Sequence, residues 1–204
     1  MSGPTARLKI AGVFFPGFEL LDIFGPLELF GLLTEKAEIT TVGTTAGPLP
    51  SAQGPKVHAD LAIADLDAAD VVLVPGGVGA RQLVNDTAFL DNIVRLHRGA
   101  RYTASICTGA ALLARAGLLD GKRATTNKLA FDFPVSQAPE VDWQRRARWV
   151  EDGRIFTASG VSAGMDMSLA LIARIWDRST ADFAAHEAEY IWSDDPHNDP
   201  FATA

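Results

Sequence analysis

The chain has 204 residues, of which 48% are hydrophobic and 21% charged, with a formal net charge of −7. That balance suits one globular domain over residues 1–204 with its own core, and the acidic charge argues against a nucleic-acid partner. A single cysteine excludes an intrachain disulfide framework or a cysteine-built zinc cluster and fits a reducing compartment, while the absence of a signal-peptide pattern before Leu8 and of a bilayer-length apolar run predicts a soluble, cytoplasmic protein. Leu8 to Phe15 is apolar almost throughout, as in strands covered on both faces. After the Pro16–Glu19 loop, Pro26 suits the first position of a helix, so a helix is expected from Pro26 to Leu33 with Asp22 in its entry. Glu38 to Val42 is a second strand, Gly47 to Lys56 an irregular Pro- and Gly-rich excursion, and Val71 to Val74 a central strand closed by Pro75-Gly76-Gly77. Thr87 to Arg98 has helical periodicity, with His97 on its exposed side.

Tyr102 to Ile106 reads as a buried strand and Ala110 to Ala116 as a helix, so the chain turns sharply at Cys107-Thr108-Gly109. Arg123 to Thr126 is a short strand, and Leu129 to Val135 a short helix. The Asp152-Gly153 turn between apolar arms marks a hairpin from Trp149 to Thr157. A long helix follows from Met165 to Trp176, and Ser179 or Thr180 caps a last one reaching Trp192. The polar tail, Ser193 to Phe201, reads as a solvated acidic segment rather than a metal site, and the Arg-rich stretch between Trp143 and Trp149 as too short for a nucleic-acid patch in an acidic protein. Strands alternating with helices place the chain in the α/β class with a mainly parallel sheet.

In open parallel sheets ligands bind at the carboxyl ends of the strands. Asp22, the Gly76-Gly77 turn and Cys107-Thr108 all fall at that edge. A cysteine on a tight strand-to-helix turn is well presented, and the helix amides favour its thiolate and lower its pKa. The other reading of Cys107 is an inert core thiol. Asp22 among Leu20, Leu21, Ile23 and Phe24 fits a raised-pKa acid or base, but equally an aspartate that caps the following amides, to which the pattern alone leans. Gly77 and Thr108 could offer donors to developing negative charge, or be an ordinary turn and an ordinary first-turn residue.

The segments Phe15-Pro16 through Leu21-Asp22-Ile23-Phe24-Gly25-Pro26, Val74-Pro75-Gly76-Gly77, Ser105-Ile106-Cys107-Thr108-Gly109, Ala116 to Leu119 with Gly121 to Thr126, and Gly160 to Asp166 together resemble the ThiJ/PfpI superfamily. They occur in family order over nearly the whole chain. The resemblance implies a flavodoxin-like, class I glutamine amidotransferase-like three-layer sandwich and a homodimer. Leu-Asp-x-x-Gly-Pro with Cys-Thr-Gly is most similar to the isonitrile hydratases. That likeness implies a lyase in which Cys107 attacks an isocyanide carbon, Asp22 manages protons, and Thr108 and the Gly77 amide, with Gly76 beside it, assist at the substrate. It implies no metal and no organic cofactor. The hydratases carry His-Trp after the Thr-Thr pair, where this chain has Asn127-Lys128. The protease-like members place His after the cysteine, where this chain has Thr108, and none of His58, His97, His186 or His197 is placed by sequence for a hydrolase triad. The pattern also resembles the sensing domains of regulators that carry a helix-turn-helix module, but no such module fits this chain. The alternative to an enzyme is a binding or redox-sensing protein with an oxidisable Cys107.

Overall fold

Buried strands that carry apolar residues on both faces need helices above and below them, and the order of crossovers decides which helix goes where. The computed structural model describes residues 6–202. The N-terminal stretch Met1 to Thr5, read as lacking a leader, lies outside them.

The first half runs β1 (Leu8–Phe14), α1 (Leu20–Gly31), β2 (Ala37–Gly43), β3 (Gly47–Pro50), β4 (Lys56–Ala59), β5 (Leu61–Ala62), β6 (Val71–Val74), α2 (Ala80–Leu83), α3 (Thr87–Gly99) and β7 (Tyr102–Ile106). The second half runs α4 (Gly109–Arg115), β8 (Arg123–Ala124), α5 (Asp132–Gln137), β9 (Asp142–Trp143), β10 (Trp149–Asp152), β11 (Ile155–Ala158), α6 (Ala163–Ile175) and α7 (Arg178–Glu187). Seven strands form the central sheet in the order β10-β11-β7-β6-β1-β2-β5. Every neighbouring pair is parallel except β10 with β11.

From β1 the chain steps through α1 to β2 in one direction, whereas β6 steps through α3 to β7 in the other. Right-handed crossovers then put α1 and α3 on opposite faces. Helices α6 and α7 pack with α1, and α2 and α4 with α3. The step reverses between β1 and β6, so a crevice opens at their carboxyl ends. β6 is buried at all four residues.

Several sequence expectations are corrected. Helix α1 begins at Leu20 rather than Pro26, so Asp22 sits in its first turn and Pro26 inside it. Pro26 has no N–H for the carbonyl of Asp22, a local cost offset by tertiary packing: a Cβ on Gly25 would stand 2.7 Å from Met165 of α6, so the two helices meet at close range. The excursion from Gly47 is ordered as the antiparallel pair β3–β4, docked on the loop after β1 where Gly17 donates to Pro50 O at 2.8 Å and Ala52 to Phe18 O at 2.8 Å. The short helix expected at Leu129–Val135 lies later in the chain, at Asp132–Gln137.

His97 is buried rather than exposed. Its Nδ1 pairs with Thr103 Oγ1 at 2.9 Å and its Nε2 faces the Arg154 guanidinium at 3.0 Å. Burial and the Arg154 and Lys122 charges push its pKa down to about 4. Helix α7 is capped by Asp177, which accepts from Thr180 N at 2.7 Å, and it stops at Glu187 instead of running to Trp192. Glu189 turns left-handed at φ 47°, and Tyr190 N donates back to Ala185 O at 2.9 Å, closing a Schellman cap.

That cap folds the tail onto the body. Tyr190 Oη and Ser193 N donate to Asp166 Oδ1 at 3.0 and 2.9 Å, and Arg148 Nε donates to Asp166 Oδ2 at 2.7 Å. The tail is therefore not wholly solvated, because Asp199 is buried, with Arg148 at 3.6 Å and Lys128 at 4.0 Å. Arg148, within the arginine-rich stretch, points inward. No helix among the described residues is long and apolar enough to cross a membrane.

Candidate active site

Three strand ends meet at the crevice. β1 leads to Asp22, β6 to Gly76-Gly77 and β7 to Cys107-Thr108. Cys107 adopts φ 56°, a left-handed conformation that residues with a Cβ rarely hold. The turn is held from both sides. Cys107 N donates to Ser159 O at 2.8 Å, and its carbonyl accepts from Thr126 Oγ1 at 2.8 Å. Close packing beneath needs glycine: a Cβ on Gly76 would stand 2.5 Å from Thr108 N and 3.0 Å from Cys107 Cβ, and one on Gly109 would strike the Val74 carbonyl.

Asp22 is fully buried, and it does not cap its own helix. Its Oδ2 accepts from Gly76 N at 2.9 Å, while Oδ1 has no hydrogen-bond partner among the described residues. Burial above all, and the charge of Glu19 to a smaller degree, push its pKa up to about 7. The Gly76 amide and the Cys107 thiol pull the other way. Gly77, at φ 122°, gives its amide to Thr108 Oγ1 at 3.0 Å. The two amides expected to face a substrate are thus already taken, one by the acid and one by the threonine.

Cys107 is 8% exposed, on the surface of the core but not sealed within it. Its thiol pKa is pushed up to about 12, by burial first and then by the charge of Asp22. This reverses the expectation that the helix start would lower it. Helix α4 is short, and the amide of Ala111 is spent on Thr108 O at 3.0 Å. The backbone and side chain of Thr108 and the side chain of Asn127 favour the thiolate but do not outweigh burial. At neutral pH the sulfur is a thiol beside a carboxyl group that titrates there.

Thr126 and Asn127 join the site without having been expected as catalytic residues. Their segment follows β8, whose pairing with β9 is local, and nothing in its pattern shows that it lies against the Cys107 turn. The one signal was the Asn127-Lys128 departure from the hydratase pattern. Glu19, at the N-terminal boundary of α1 and one helical turn before Asp22, also acts on Asp22 through its charge. Among the described residues no group of three or more His, Cys, Asp or Glu side chains is placed to hold a metal.

An α/β sheet with a cysteine on a left-handed turn at its switch point, facing a buried acid, defines a class of cysteine-centred α/β proteins. The chain belongs to the DJ-1/PfpI family, whose model matches residues 8–174. It is 35% identical over 184 residues to an isonitrile hydratase of Pseudomonas putida, covering 90% of this chain and 78% of that one. It is 32% identical over 128 residues to the HTH-type transcriptional regulator CdhR of Pseudomonas aeruginosa, covering 63% of this chain but only 38% of the regulator. Among solved structures, a ThiJ/PfpI family protein from Pseudomonas syringae superposes with a TM-score of 0.80 at 29% identity, over 92% of this chain and 76% of that one. The family and the fold expected from the sequence are thereby established.

Proposed function

We propose that this protein is a cysteine-dependent isonitrile hydratase, a lyase that adds water to an isocyanide to give an N-substituted formamide. The observation that carries the reading is the unpartnered Oδ1 of Asp22, on a buried carboxyl group that titrates near neutrality beside a thiol. The 35% likeness to the Pseudomonas putida hydratase supports the substrate class.

In this scheme Asp22 as carboxylate takes the thiol proton, and the sulfur of Cys107 adds to the terminal isocyanide carbon. The proton held by Asp22 passes to that carbon, giving an S-linked thioimidate, R–N=CH–S. Asp22, again a carboxylate, takes a proton from water as the hydroxide adds to the same carbon, and returns the proton to nitrogen. The tetrahedral adduct then loses its hydroxyl proton to Asp22, the C–S bond breaks, and the sulfur recovers the proton. One isocyanide and one water become one formamide, with no electron gained or lost. Thr108 steadies the sulfur through its hydroxyl and amide. Gly76 and Gly77 hold the acid and the threonine in place.

We propose further that the enzyme works in the cytoplasm as a homodimer, with α1, where Leu21 and Phe24 stand exposed, at the contact; light scattering over a dilution series reads this. A redox-sensing role for Cys107 would use the same thiolate, which Asp22 has to form against burial in either reading.

The test is turnover of a simple alkyl isocyanide, followed as formamide release by mass spectrometry. Activity should vanish in Cys107→Ala and in Asp22→Asn. Full activity in Cys107→Ala ends the covalent scheme. A wild-type protein inert to a panel of isocyanides ends the substrate assignment.

A further inference from the structure

We propose that Asn127 is a catalytic residue of this site: its carboxamide N–H donates to the Cys107 sulfur and steadies the thiolate as Asp22 removes the proton. This rests on Cys107 being the attacking atom.

The orientation of the amide follows from its other end. Asn127 Oδ1 accepts from Ala130 N at 2.9 Å, which assigns the other end of the amide to Nδ2 with its two donors, and that end lies against Gly160. The neighbouring backbone leaves space for it. A Cβ on Gly160 would lie 2.5 Å from Asn127 Nδ2, so a side chain there would displace the amide. Gly160 follows Ser159, the residue whose carbonyl takes the Cys107 amide at 2.8 Å. On the other side Thr126, next to Asn127, donates its hydroxyl to the Cys107 carbonyl at 2.8 Å. The sulfur-bearing turn is therefore gripped by the residues flanking the amide.

Lys128 anchors the same segment from beneath. Its Nζ donates to Thr125 Oγ1 at 2.7 Å and to Ala147 O at 2.6 Å, and faces Asp199 of the tail at 4.0 Å. Its charge is thus directed into the body and not at the sulfur. The charged group bearing on the thiol is Asp22, from α1, with Glu19 acting on Asp22. Against these acids the groups among the described residues that favour the thiolate are neutral donors, Thr108 from the start of α4 and Asn127. The Asn127 side chain acts to lower the Cys107 pKa. A carboxamide cannot take a proton at neutral pH, so it offers the sulfur a donor without adding a second base. The proton traffic then belongs to Asp22 alone.

The test reads the thiol directly and does not need isocyanide turnover. The rate of alkylation of Cys107 by iodoacetamide is followed by intact mass at pH about 8.5, where attack requires the thiolate. Asn127→Leu keeps the side-chain shape but has no donor. It should be alkylated about tenfold more slowly than the wild type, the scale of one hydrogen bond to a charged group. Asn127→Asp keeps an acceptor for Ala130 N but places a carboxylate by the sulfur, and should be at least as slow. A folded Asn127→Leu alkylated at the wild-type rate overturns the proposal. Should that variant not fold, a wild-type rate in Asn127→Asp overturns it equally. Slowed alkylation in a protein that hydrates no isocyanide sinks the hydratase reading and leaves the role of Asn127 standing.

Discussion

Gly76 gives its amide to Asp22 at 2.9 Å, and this bond ties the end of β6 to the first turn of α1 at the point where the sheet reverses its winding. The reverse tie is made by Glu19 N, which donates to Gly76 O at 2.9 Å. The acid is thereby positioned by backbone from a distant strand and not by its own helix. Its geometry depends on Gly76 remaining a glycine.

Gly76→Ala should therefore damage both fold and site. The added methyl would lie 2.6 Å from Thr108 Oγ1 and 3.0 Å from Cys107 Cβ, atoms with little freedom to retreat. We expect a loss of about 2–3 kcal/mol in urea unfolding and a fall in kcat/KM of about a hundredfold or more. Gly99→Ala, where a Cβ meets nothing within 4 Å, is the control and should stay within about 1 kcal/mol of wild type.

The pH dependence of turnover should report the acid. In the scheme above the active pair holds one proton between Asp22 and Cys107. Below about 7 the carboxyl group keeps a second proton, so kcat/KM should fall by about tenfold per pH unit on the acid side. Above about 7 it should level off, because the thiol holds its proton up to about 12. A profile flat through pH 7, or one that falls as pH rises through it, would remove Asp22 from the role of base.

Asp22 should also cost stability where it serves catalysis. Burial lifts its pKa from an ordinary 3.8 to about 7, so the folded state binds its proton more tightly than the unfolded state does. The stability contributed by this proton is fully present below about 3.8 and lost as pH rises through 7. Asn has no charge to bury. Asp22→Asn should thus be more stable than wild type at pH about 8, by about 1–3 kcal/mol, with the advantage vanishing near pH 4. Thermal melts of both proteins at the two pH values measure this, and a less stable variant at pH 8 would refute it.

Arg148 and Asp166 join the tail to the body through a buried pair with Nε to Oδ2 at 2.7 Å. Arg148→Leu leaves the Asp166 carboxylate, which is fully buried, with only the Tyr190 hydroxyl and the Ser193 amide. We expect a loss of about 3–5 kcal/mol and protease cleavage in the tail. Adding Asp166→Asn should recover part of that loss, since no uncompensated charge then remains inside. A double variant no better than the single one would show that packing of the arginine stem, not charge, holds the tail.

The sequence by itself determined the strands of the central sheet, apart from the two-residue edge strand β5, and the place of the sulfur. Uninterrupted apolar runs such as Val71–Val74 survive only where helices cover both faces, and the small residues around Cys107 permit only a sharp turn. The Asp152-Gly153 hairpin was equally legible, because its turn chemistry is local. Tertiary structure alone decided what surrounds the sulfur. Asp22 reads locally as a helix cap, and only contact with Gly76 makes it a buried acid. His97 has the pattern of an exposed position, and only Thr103 and Arg154 draw it in. The thiol pKa rises against the local expectation, since burial outweighs the short helix behind it. Asn127 reaches the Cys107 turn from a segment whose pairing is local. Propensity and periodicity act over a few residues, whereas desolvation and donor geometry depend on which distant segments the completed fold brings together.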